Sequence, residues 1–140
     1  MPATEGLINA GSTFMANALQ HKEDRMAKVF GMHEIELRPD VKPEEYEQFF
    51  TQEIAHLPVF PGWKAYLLKA DRGERAGKYL LMYEVESVET RDRYFPRPDE
   101  QSEEVQRFLE QHSEVAAAMQ KSSAFETEPH LWSDYIVVAG

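Results

Sequence analysis

Between Val105 and Met119 the residues Val105, Phe108, Leu109, His112, Val115, Ala116 and Met119 fall at offsets 0, 3, 4, 7, 10, 11 and 14. That spacing follows the 3.6-residue turn and predicts one long amphipathic helix, with Glu103, Glu104, Glu110 and Glu114 off the apolar stripe. A helix with one apolar stripe needs a surface to lie on. The chain offers strand-like segments for that surface at Val29–Leu37, Trp63–Ala70, Lys78–Val85 and Leu131–Val138. In the first, Val29, Gly31, His33, Ile35 and Leu37 share one face, and Phe30, Met32, Glu34 and Glu36 share the other.

The remaining segments order these strands. Arg38-Pro39-Asp40 ends the first. Pro43 then suits a first helical turn, Glu44 and Glu45 favour its positive end, and Tyr46, Phe49, Phe50, Ile54 and Leu57 recur at helical spacing until Pro58. Phe60-Pro61-Gly62 turns into the second strand, and the charged, glycine-containing run 71–77 reads as the loop of an antiparallel hairpin. Ser87 caps a short helix that Phe95-Pro96-Arg97-Pro98 breaks. Strand, helix, strand, strand, helix, strand is the split βαβ order, so the expected class is α+β: a ferredoxin-like βαββαβ domain over residues 29–140 with an antiparallel four-stranded sheet. Both helices belong on one sheet face, with the terminal strand beside the second strand or at an edge. The other face carries large apolar and tyrosine side chains, which a homodimer would bury. Residues 1–28 read as an N-terminal leader, with a short helix from Ser12 to Met26.

Composition narrows the function classes. With 15 basic against 25 acidic residues the formal charge is −10, and no basic patch stands out, so neither nucleic acid nor a membrane surface is an expected partner. The absence of cysteine removes thiol catalysis, thiolate metal sites and disulfides. No run approaches the roughly 20 apolar residues of a membrane span, and the expected location is cytoplasmic. His21, His56 and His130 lie outside the strand interiors in no metal-ligand spacing, and neither a glycine-rich nucleotide loop nor a GxSxG elbow occurs. No metal or cofactor is expected.

The segments HEIELRPDVKPEEYEQFF, GWKAYLLKADRGERAGKYLLMYEVES and YIVV together resemble the dimeric α+β barrel superfamily. That superfamily includes antibiotic-biosynthesis monooxygenases, stress-responsive barrel proteins and the EthD-like and NIPSNAP-like groups. The resemblance covers about residues 29–139. It implies a barrel made by two sheets across a dimer, and a pocket between each sheet and its helices.

Several residue types suit chemistry in such a pocket, and each has a plainer structural role beside it. His33 and His112 can take a proton near neutral pH or remain satisfied histidines of the core. Glu34, Glu36 and Glu84 can pair as buried acids or meet lysines such as Lys64 and Lys78. Tyr66 and Tyr83 can steady an oxyanion, and Trp63, Tyr79, Phe108 and Tyr135 can wall an aromatic ligand or form an ordinary core. The leading expectation is a small-molecule pocket protein, a cofactor-independent monooxygenase acting on an aromatic or polycyclic substrate. A non-enzymatic dimeric binding or scaffold module is the first alternative. A haem-binding protein using His112 or His33 is the second.

Overall fold

The computed structural model describes residues 24–127 and 131–140. The expected helix from Ser12 lies largely outside those residues, as do His21 and His130. Strand β1 (Val29–Ile35) leads to helix α1 (Pro43–Phe49), which continues into a wider π-helical turn over Phe50–Ile54. Strands β2 (Trp63–Lys69) and β3 (Tyr79–Val85) form the hairpin. Helices α2 (Val88–Tyr94), α3 (Glu103–Gln111) and α4 (Ser113–Ser123) precede strand β4 (Leu131–Ile136).

Local chemistry accounts for most boundaries. Pro43 opens α1, whose first turn carries Glu44 and Glu45 and whose buried Tyr46 and Phe49 stand one turn apart. Ser87 caps α2 by accepting from the Thr90 N–H at 3.0 Å, while Arg91 and Arg93 occupy the negative end. Gly62 enters β2 with φ 85°, a conformation that favours glycine, and a Cβ there would push aside the Glu86 carboxyl group 2.8 Å away.

The sheet order is β2-β3-β1-β4 with every pairing antiparallel, and β4 takes the edge beside β1. This is the expected ferredoxin-like α+β arrangement. The expected barrel is not formed. The sheet ends at β2 on one side and β4 on the other, and four strands of six or seven residues cannot curl far enough to pair those edges, since closure takes roughly eight tilted strands.

A second difference lies in the helix expected from the stripe at 105–119. It breaks at His112, whose φ of −129° and ψ of 69° separate α3 from α4. Val105 is buried as the stripe requires, but past the break Ala118 is buried while Ala116 and Met119 face solvent. The break lets α3 pack on α2 while α4 turns towards the segment Phe50–Ile54.

The core lies between the helices and one sheet face. Ile35, Tyr46, Phe49 and Tyr79 fill one end, with the Phe125 ring stacked on Phe49 at 4.9 Å. Val29 and Val85, paired across β1 and β3, are buried at the other end of those strands. The opposite face presents Phe30, Met32, Tyr66, Leu68, Met82 and Tyr135, all partly or fully exposed.

Candidate functional site

Register sets which side chains meet over the helix-covered face. Ala65, Tyr83, Gly31 and Asp134 form one cross-strand row, and Leu67, Leu81, His33 and Trp132 form the next. Trp63 stands in the row on the other side, opposite Val85. Tyr83 therefore rises between two small residues. Over Gly31 leans the Asp134 carboxylate, whose Oδ1 would be 2.9 Å from a Cβ at that position, and Arg91 holds it by a 3.2 Å ion pair. A glycine inside a strand marks such close approach.

Aromatic rings link these rows into a continuous string. The His33 ring stacks on Trp132 at 5.8 Å and meets Tyr83 edge-on at 5.4 Å. Tyr83 meets Trp63 at 5.9 Å, Trp63 meets Phe60 at 5.5 Å, and Phe60 meets Phe108 at 4.6 Å. Phe108 ends the string against His112 at 4.6 Å. The structure thus gathers His33, Tyr83 and Trp63 directly, with Phe108 and His112 joined to them through Phe60. His112 is half-buried, and its Nδ1 lies 3.6 Å from Glu114.

Other candidates from the sequence stand elsewhere. Tyr66 and Tyr135 occupy the opposite sheet face, so neither can share a site with Tyr83 within one chain. Tyr79 faces the helices, but its ring packs on Tyr46 and its hydroxyl donates to Glu47, which also receives Lys69. Those bonds, first that from Tyr79, hold the Glu47 carboxyl below its ordinary range, while burial and then Glu47 push Tyr79 upward. Glu36 pairs with Lys78 at 3.0 Å, Glu84 with Lys28 at 3.5 Å and Glu34 with Arg75 at 3.8 Å. These carboxylates form solvated ion pairs. Among the described residues no three His, Asp or Glu side chains gather as metal ligands.

The polar centre of the interior is a residue the sequence reading missed. Glu126 is 6% exposed and accepts a 3.1 Å hydrogen bond from the Tyr46 hydroxyl, itself 1% exposed. A short bridge to Leu37 and a bond from Arg38 Nε to the Glu126 carbonyl fix its backbone. Burial and then the charge of Glu126 raise the pKa of both Tyr46 and Tyr83, so both phenols remain protonated donors through neutral pH. Glu126 lies in the aperiodic run Phe125-Glu126-Thr127, where nothing in the spacing distinguishes it from a surface acid. Phe60, read only as part of a turn, proves to be the ring joining the two halves of the string.

No family model matches the chain, and no curated protein matches it. Among solved structures it is similar to a dimeric protein of unknown function with a ferredoxin-like fold from Bacteroides fragilis. That likeness has a TM-score of 0.50 at 17% identity, covering 79% of this chain and 96% of the other. At such identity the shared property is the ferredoxin-like fold. No helix among the described residues is long and apolar enough to cross a membrane.

Proposed function

We propose that the protein binds a planar aromatic or polycyclic molecule between helices and sheet and acts on it as a cofactor-independent monooxygenase. The observation that carries this reading is the meeting of His33, Trp63 and Tyr83 rings along the string, each within 6 Å of the next, with Tyr83 kept as a donor by burial and by Glu126. The oxygenase class comes from the sequence resemblance to a superfamily that includes antibiotic-biosynthesis monooxygenases among other groups. In the reaction, His33 takes a proton from a ring CH₂ group beside a carbonyl, and Tyr83 donates to the oxygen on which charge develops. The carbanion supplies an electron pair to dioxygen, forming a C–O bond. The resulting hydroperoxide loses water to leave a new carbonyl, so CH₂ and O₂ become C=O and H₂O.

Native mass spectrometry of protein purified from its own organism tests the binding reading. A small aromatic molecule shed on denaturation, and lost in a Tyr83→Ala variant, supports it. Repeatedly bare protein that takes up no aromatic compound refutes it.

A second reading, a homodimeric binding module, is favoured by the open sheet face. Four strands about 4.8 Å apart and seven residues long at about 3.3 Å each span roughly 440 Å² in projection. That is more than half of the ~800 Å² per partner of a stable interface before side-chain relief is counted. The occupant is a second copy of the chain, which presents the same apolar centre of Met32, Tyr66 and Met82 with Glu34, Lys64 and Glu84 around it, and so can be complementary by symmetry.

A further inference from the structure

Two rings that each carry a hydrogen-bond donor, Trp63 and Tyr83, meet in the middle of the aromatic string. The Trp63 indole nitrogen is buried and has no partner among the described residues. The Tyr83 ring meets the indole, and burial and Glu126 keep its hydroxyl protonated as a donor. Trp63 and Tyr83 occupy neighbouring rows on the helix-covered face, their rings 5.9 Å apart and inclined at 72°. A buried donor without an acceptor carries its full desolvation penalty, so a native structure that keeps one has a use for it or meets it with something further.

We propose that Trp63 Nε1–H and Tyr83 O–H form a paired donor site for the carbonyl or enolate oxygen of a flat ligand, which reaches them past Phe95. The proposal rests on the reading of the interior as an aromatic-ligand site and names the group that site recognises. An indole N–H only donates, so the partner must present an acceptor; a carbonyl or enolate oxygen has lone pairs enough for both donors. An ammonium group has none. A carboxylate would lack a cation, because Arg91 is engaged by Asp92 at 3.0 Å and by Asp134 at 3.2 Å.

The route follows from Phe95. Its ring lies 5.7 Å from Trp63, and it also lines a surface depression of about 450 Å³ together with Pro98, Asp99, Glu100, Gln101 and Gln106. Phe95 is the C-cap of α2, with φ −131° and ψ 85°, and its ring is in contact with both the indole and the depression. Beyond it, the small side chain of Ala65 flanks Tyr83 on one side, while the Asp134 carboxylate covers Gly31 on the other.

The test compares two probes of one shape on the full-length wild-type protein: 1-indanone, which has a carbonyl, and indane, which has none. Indanone is expected to bind about tenfold more tightly, the worth of one to two neutral hydrogen bonds. It should also move the Trp63 indole N–H resonance downfield, whereas indane leaves it in place. Trp63→Phe identifies that resonance against Trp132 and, like Tyr83→Phe, lowers the ratio of indanone to indane affinity by threefold or more, whatever it does to the affinity of both. Equal affinity of the two probes, or indanone binding that leaves the Trp63 signal unmoved, overturns the donor pair and leaves an aromatic site standing. If neither probe binds, the aromatic-ligand reading falls and the donor pair with it. The wild-type comparison needs no variant to fold.

Discussion

Removing one oxygen atom from the interior probes the polar centre most directly. In Tyr46→Phe the ring stays against Tyr79 and Phe125, but the 3.1 Å bond to the Glu126 carboxyl is lost. Neither partner has solvent to turn to, with 1% and 6% of their surfaces exposed. A buried hydrogen bond to a charged acceptor contributes about 1.5–3 kcal/mol, so the variant should lose about 2 kcal/mol. For a domain of this size that lowers Tm by roughly 8 °C. Urea denaturation of the wild type, Tyr46→Phe, Glu126→Gln and the double variant completes the cycle. Against the neutral amide introduced by Glu126→Gln the hydroxyl is worth only about 1 kcal/mol, leaving a coupling energy of about 1 kcal/mol. A Tyr46→Phe loss below about 0.5 kcal/mol, or the same loss with either residue at position 126, would refute the buried phenol–carboxyl pair.

Three further outcomes follow from the same structure. The pKa values of Tyr46, Tyr79 and Tyr83 are raised above their ordinary value of 10.0 in the folded state, so their contribution is complete below pH 10.0 and declines above it, as the unfolded chain releases protons that the folded chain retains. Urea midpoints should accordingly fall as pH rises past that point, less steeply in Tyr46→Phe, and a flat alkaline limb would contradict the burial of these phenols. Ser87→Ala removes the cap bond to Thr90 N–H and should cost about 1 kcal/mol in denaturant unfolding, with faster amide exchange at Thr90; Ser87→Thr should restore most of it. Met82→Glu places a charge in the centre of the open sheet face, and light scattering should then show a folded monomer in place of a dimer, whereas an unchanged dimer would locate the interface elsewhere.

The elements of this protein are legible in its sequence because their signals are local. The alternation in β1, the glycine-bearing hairpin loop, the proline opening α1 and the serine capping α2 each act within a few residues, and the order of those elements specifies a ferredoxin-like domain. What required the tertiary structure is everything set by register and by contacts distant in the chain. Tyr66 and Tyr83 are equally tyrosines on strands, yet the pairing of β2 with β3 sends one outward and the other inward, and a slip of one residue would exchange them. The stripe from Val105 to Met119 reads as one helix, but packing on two different neighbours breaks it at His112. Whether the sheet closes depends on its two edges, which no single segment encodes. Glu126 becomes the polar centre through Tyr46, 80 residues away in the chain, because only folding removes water from both and brings the phenol onto the carboxyl group.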